Sequence, residues 1–194
     1  MGRPREFDID EALDQALDLF WRKGYEGTSL SDLTDAMGVT RPSLYAAFGN
    51  KEELFRKALD RYDDTCMAFT RSALNEPTAR KVVDKLLHGF ADAQTDQVHP
   101  PGCMGVNGAL ACSEEAEPIK QELAGRRVAG EIALGRRLED ARAAGDLPAD
   151  CSPADLARYV MTVAHGMAIQ ASSGASREAL YAVVGMTLKA WPSA

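Results

Sequence analysis

The sequence predicts an all-α protein, with a small N-terminal helix-turn-helix unit followed by a larger helical bundle. Two observations carry that reading. Apolar residues recur at helical spacing along almost the whole chain, while alternating β-branched runs are nearly absent. The periodic stretches are bounded by capping residues and by Gly or Pro, and two of the earliest are short and separated by a Gly-containing turn.

The first stretch places Ile9, Leu13, Ala16, Leu17, Phe20 and Trp21 on one face and Asp10, Glu11, Asp14 and Asp18 on the other. Asp8 and Glu11 have capping-box spacing, and Gly24 ends the helix. Next, Thr28 or Ser29 caps a short helix whose buried face is Leu30, Leu33 and Met37, and Gly38 breaks it. A second short helix opens at Thr40-Arg41-Pro42, with the proline in a first turn where its missing N–H has no partner to lose. Gly49 stops it, and Asn50 with Glu53 forms another capping box for a longer helix through Leu54, Phe55, Ala58, Leu59 and Tyr62. Beyond about residue 70, pattern suggests helices near 78–96, 103–113, 116–145, 153–173 and 176–191. The expected domains are residues 1–61 and 62–194.

Composition bounds the function. With 194 residues, 45% hydrophobic and 26% charged, the chain has a globular make-up and no apolar run of the ~18–20 residues that a bilayer demands. It also lacks a secretory h-region, so a cytoplasmic protein is expected. Cys66, Cys103, Cys112 and Cys151 are irregularly spaced and imply no disulfide framework. A net charge of −7 excludes indiscriminate polyanion binding. Residues 1–61 hold 9 basic and 12 acidic side chains, yet Ala36 to Lys51 contains no acid. That window coincides with the second short helix. No GxSxG, HExxH or phosphate-cradling Gly-rich loop is present, so an enzyme is not indicated and no cofactor or metal is called for.

Residues 9–61 resemble the DNA-binding region of the TetR family. The resemblance is carried by the Gly24-Tyr25-x-x-Thr28-Ser29 step, the Ala36-Met37-Gly38-Val39 turn, and Leu44-Tyr45-x-x-Phe48-x-x-Lys51-Glu52-Glu53-Leu54. Gly102-Cys103-Met104-Gly105-Val106-Asn107 is similar to a stretch found in some members. The resemblance implies a homodimer, a palindromic double-stranded DNA operator, and release of that DNA by a small molecule bound in the C-terminal domain.

In such a unit the second short helix lies in the major groove. That assigns Thr40, Arg41, Pro42, Ser43 and Tyr45 to DNA. Arg41 suits bidentate readout of guanine, and a plain phosphate contact is the other reading. Leu44 and Phe48 are expected in the core. The family pattern gives Tyr45 and Lys51 to the backbone, with Lys51 adding its charge to a helix N-terminus, and Thr28 is similarly placed. Arg3 and Arg5 form a basic arm that reaches the minor groove or is simply disordered.

The effector site is expected to be largely apolar, with Phe90, Met104, Asn107, Leu110, Met161 and His165 as its candidates. Leu156, Val160, Val163 and Met167 make one C-terminal stripe, and Leu180, Val184, Thr187 and Trp191 another. Both are expected at a two-fold subunit interface, the other reading being monomer core. His99 and Cys103 leave metal or thiol response as an alternative trigger. A ligand-binding scaffold with a vestigial helix-turn-helix is the second alternative.

Overall fold

The computed structural model describes residues 7–108 and 113–192, and among these it contains ten α-helices, one 3-10 turn and no strand. Helix α1 (Ile9–Lys23) starts at Asp8, whose carboxylate accepts from the amides of Asp10 and Glu11 at 2.9 and 3.1 Å. This satisfies two of the amides that a helix start leaves open. The box expected with Glu11 is one-sided. At α2 (Leu30–Met37) it is Ser29 that caps: its hydroxyl accepts from the Asp32 amide at 3.0 Å, and Asp32 accepts from the Ser29 amide at 2.9 Å.

Helix α3 (Arg41–Phe48) is capped by Thr40, and α4 (Lys51–Asp64) by the reciprocal Asn50–Glu53 pair. The apolar faces of these four helices meet on Phe20, Leu33, Leu44, Phe48, Leu54 and Phe55, all buried. Phe20 meets Phe55 edge-on, with centroids 4.9 Å apart. Such aromatic pairs add roughly 0.5–1.5 kcal/mol beyond area burial.

Helix α5 (Phe69–Leu74) carries no side-chain cap and is too short to show a period, which is why the sequence pattern misses it. It leads to α6 (Ala79–Gln94), whose Val83, Leu87, Phe90, Ala91 and Gln94 form one buried face. The expected helix at 103–113 is much shorter: α7 covers Met104–Asn107, Gly108 is its C-cap, and residues 109–112 lie outside the described range. A 3-10 turn (Glu114–Ala116) precedes α8 (Glu117–Ala143), and α9 (Pro153–Ser172) and α10 (Arg177–Lys189) complete the chain.

Helix α9 lies against both α8 and α6, and α10 packs on α6. Helix α8 buries Ile119 and Leu123 near one end and Leu134, Leu138 and Ala141 near the other. Between them Arg126 bonds Asp60 and Asp63 of α4 at 2.7 Å each, and Glu122 at 3.0 Å. The α4–α8 seam is therefore ionic where a hydrophobic stripe would otherwise run.

The C-terminal stripes assigned above to a subunit interface are largely interior. Val160, Met167, Leu180, Val184, Thr187 and Trp191 are all buried within the chain, and Leu156 and Val163 pack partly against the same core. One stripe per helix is what a monomer core requires, and α6 and α8 supply the facing surfaces. The large apolar residues that remain exposed on α9 and α10 are Tyr159, Ile169, Val183 and Met186.

Candidate functional site

The helix-turn-helix is α2, the Gly38-Val39-Thr40 turn and α3. Gly38 takes the left-handed conformation (φ 65°), and its amide reaches back to the carbonyls of Asp35 and Thr34. Leu44 and Phe48 are buried as expected, which turns Arg41, Pro42, Tyr45 and Ala46 to solvent along the opposite side. Arg41 donates to the Ser31 hydroxyl of α2 at 2.9 Å, so its guanidinium is braced across the turn. Thr40 and Ser43 share a hydroxyl–hydroxyl hydrogen bond of 2.9 Å at the start of α3. Tyr45 is 48% exposed.

Lys51, the first residue of α4, is half-buried with its Nζ 4.3 Å from the centre of the Tyr25 ring. Burial draws its pKa below the usual lysine range, and Glu26 opposes this. Thr28 behaves differently from the other residues assigned to DNA. Its side chain is fully buried and donates to the Gly24 carbonyl at 2.7 Å, so it holds the turn from inside. Arg3 and Arg5 lie outside the described residues.

The acids of α1 are largely engaged away from α3. Arg61 of α4 reaches Asp14 at 2.9 Å and Asp10 at 3.4 Å, and Arg22 pairs with Asp18 at 2.8 Å. Asp32, in the first turn of α2, is pulled down to about 2 by hydrogen bonds from the Ser29 backbone and hydroxyl, and by Lys23. Its charge is thus retained by the cap itself.

A cavity of about 320 Å³ opens among α4, α5, α6, α8 and α9, beneath α7. Three of the six residues expected at an effector site line it: Phe90, Met161 and His165. Met104 is wholly buried without lining the cavity, and Asn107 instead donates to the Ser172 hydroxyl at 2.6 Å. Leu110 lies outside the described residues. The sequence reading missed Tyr62, Gln94 and Arg127, which also line the cavity. Gln94 was legible in principle, because it continues the buried Leu87–Phe90–Ala91 face of α6 by one turn.

The polar groups of the wall are distinct in character. Burial lowers the pKa of His165, and the charge of Arg127 lowers it further, both favouring the neutral imidazole. Tyr62 donates to the Cys103 sulfur at 3.2 Å. Burial pushes the Cys103 thiol up, away from the reactive thiolate. Among the described residues, no group of three or more His, Cys, Asp or Glu side chains is arranged to hold a metal ion.

The cavity and the helix-turn-helix share supports. Tyr62 meets the Trp21 ring of α1 edge-on with centroids 4.8 Å apart. The Tyr25 amide, just after α1, donates to the Gly108 carbonyl at the end of α7 at 3.0 Å.

Comparison with known proteins agrees with this architecture in order and extent. Residues 12–58 match the model described as bacterial regulatory proteins, tetR family, and residues 77–184 match the tetracyclin repressor-like C-terminal domain. The chain is 39% identical over 193 residues to the HTH-type transcriptional repressor ComR of Escherichia coli (strain K12), spanning 98% of this chain and 92% of ComR. A cysteine mutant of the TetR family transcriptional regulator CifR, complexed with 26-base-pair double-strand operator DNA, is 42% identical and superposes with a TM-score of 0.94 over 98% of this chain and 100% of that one. A TetR transcriptional regulator from Chloroflexus aurantiacus shares the fold at 18% identity, with a TM-score of 0.81 over 93% of this chain and 91% of that one. With both family models matched in order and full-length likeness to a repressor, this chain belongs to the TetR family of transcriptional regulators.

Proposed function

We propose that this protein represses transcription as a homodimer bound to a palindromic operator, and leaves the DNA when a small effector with an apolar body fills the α4–α9 cavity. The observation that carries the proposal is the exposed edge of α3, where Arg41 is braced by Ser31 and flanked by no acidic residue from Ala36 to Lys51. Thr40, Arg41, Pro42, Ser43 and Tyr45 read or touch the groove. Lys51 binds a phosphate at the start of α4, and Thr28 contributes by fixing the turn. Residues 1–61 serve as the DNA-binding domain and 62–194 as the effector-binding and dimerisation domain, with α4 running across that boundary as the link.

The repressor name of ComR and the operator DNA bound to CifR support the same reading. The dimer forms on the outward faces of α9 and α10, where Tyr159, Ile169, Val183 and Met186 are exposed. The protein regulates rather than catalyses, and works in the cytoplasm beside the chromosome. The buried, hydrogen-bonded Cys103 thiol favours reversible effector binding over thiol chemistry as the trigger. An effector releases DNA only if it binds the released form more tightly than the DNA-bound form.

Fluorescence anisotropy with the DNA upstream of the protein's own gene tests this. Tight, salt-sensitive binding with preference over a scrambled duplex is expected. Equal affinity for both duplexes would overturn the proposal.

A further inference from the structure

We infer that the effector is a small carboxylate with an apolar body and a hydroxyl near its head, held through Arg127 and Gln94. The inference rests on the reading of the cavity as the effector site, and it adds which chemistry the site selects. Three buried side-chain polar atoms among the described residues have no hydrogen-bond partner: Trp21 Nε1, Trp191 Nε1 and Gln94 Oε1. Of these, only the last belongs to a residue that lines the cavity. Gln94 is 1% exposed, and its Nε2 is already spent on the Ala164 carbonyl of α9 at 3.2 Å. That bond fixes the amide, leaving Oε1 as an acceptor that no donor among the described residues meets. A buried acceptor without a donor is costly, and a ligand hydroxyl removes that cost.

Arg127 supplies the second half of the recognition. Arg127 lines the same cavity, and its guanidinium donates to the Gly105 carbonyl at 2.6 Å with no carboxylate partner among the described residues. The other arginines on the wall are matched. Arg126 is held by Asp60, Asp63 and Glu122, and Arg71 reaches Asp64 at 2.5 Å. Asp63 also faces the cavity, but its carboxylate is tied to Arg126. Glu131, the carboxylate whose charge reaches His165, pairs with Arg158 at 3.3 Å.

The unmatched charge on this wall is therefore positive. A guanidinium with free N–H groups beside apolar surface binds a carboxylate well, because both desolvated charges find a partner at once. The two recognising groups share a neighbourhood: Gln94 bonds to the residue before His165, and the charge of Arg127 reaches the His165 ring. His165, neutral there, neither repels nor competes for the head. The remaining walls include Leu59, Leu86, Phe90, Leu123, Leu134 and Met161, which suit a hydrocarbon body. At about 320 Å³ the space sits at the small end of small-molecule sites, so the body must be short.

Three probes of equal chain length separate the contributions: 3-hydroxyoctanoate, octanoate and octane-1,3-diol. Calorimetry on the full-length protein should rank 3-hydroxyoctanoate tightest, by about tenfold over each of the others. Arg127→Gln should remove the advantage of 3-hydroxyoctanoate over the diol, and Arg127→Lys should restore part of it. Gln94→Leu should bring 3-hydroxyoctanoate level with octanoate; if that variant melts early, the wild-type ranking alone carries the test. A diol that binds as tightly as the hydroxy acid, an Arg127→Gln variant weakened equally for all three, or binding of none of them would overturn the inference. Operator anisotropy without any probe is recorded alongside. Sequence-preferring DNA binding there keeps the regulatory reading standing even if the hydroxy acid fails, and its absence would sink that reading.

Discussion

Arg41 and His165 show how a single side chain takes its role from what holds it. Arg41 stands at the first position of α3, and its bond to Ser31 limits the rotamers it must give up on meeting a base. Replacing Arg41 with Ala should cost about 1–3 kcal/mol of discrimination between operator and scrambled DNA, with helical content unchanged by circular dichroism. Competition anisotropy measures this. A loss spread equally over all sequences would mean that Arg41 touches only phosphate. His165 makes a prediction in pH. Its folded pKa lies below the free value of about 6.5, so the unfolded chain takes up a proton that the folded chain refuses. Its contribution to stability is present above that pH and lost as pH falls through it. Urea titrations at about pH 7.5 and pH 5.5 should show a smaller acid-induced loss for His165→Gln than for wild type. An identical loss would show that the ring is protonated in the folded protein.

Among the helices, the ends are more informative than the middles. Gly38 and Gly49 both have positive φ, at 65° and 80°, yet they differ in surroundings. A Cβ at Gly38 would meet nothing within 4 Å, so Gly38→Ala should cost only backbone strain, about 1–2 kcal/mol. A Cβ at Gly49 would strike the Glu53 carboxylate, the group that accepts from the Asn50 amide at 2.8 Å. Gly49→Ala should therefore lose the cap of α4 as well as strain the backbone, about 2–3 kcal/mol in all. Urea midpoints of the two variants decide it, and equal destabilisation would refute the distinction. These signals were legible because capping is a matter of three or four consecutive residues. The Ser29–Asp32 and Asn50–Glu53 pairs exchange their bonds within one helical turn. By contrast α5 was invisible, being six residues long and held by α6 rather than by its own caps.

At the scale of the molecule, the helix-turn-helix and the cavity meet on the same helices. Helix α4 carries Lys51 at one end and Tyr62 near the other, and Tyr62 touches both the cavity and Trp21 of α1. A ligand that shifts Tyr62 therefore acts on the base of the DNA-reading unit. Assembly matters as much, since a two-fold dimer offers paired recognition helices to half-sites about 34–36 Å apart. Introducing charge at the exposed apolar positions, Val183→Glu with Met186→Glu, should convert dimer to monomer in sedimentation velocity. Operator affinity should fall at least about a hundredfold, with the helical spectrum retained. A double variant that still sediments as a dimer would place the interface elsewhere.

What is local in the chain is legible from spacing alone: the helical class, the starts at Thr28 or Ser29, at Thr40 and at Asn50, the break at Gly38, and the burial of Leu44 and Phe48 that turns Arg41 outward. Each follows from spacing within a few turns, where backbone geometry fixes which side chains share a face. Which of the apolar stripes are interior depends on how the helices pack. Val160, Val184 and their neighbours are expected at a subunit interface from sequence, yet the same spacing serves a core, and α6 and α8 cover them. The same holds for the cavity wall. Tyr62, Gln94 and Arg127 stand on α4, α6 and α8, and their partners are Cys103, Ala164 and Gly105, at least 22 residues away in sequence. A helical period says that a residue faces inward; what it meets there depends on how distant helices pack, and no local spacing encodes that.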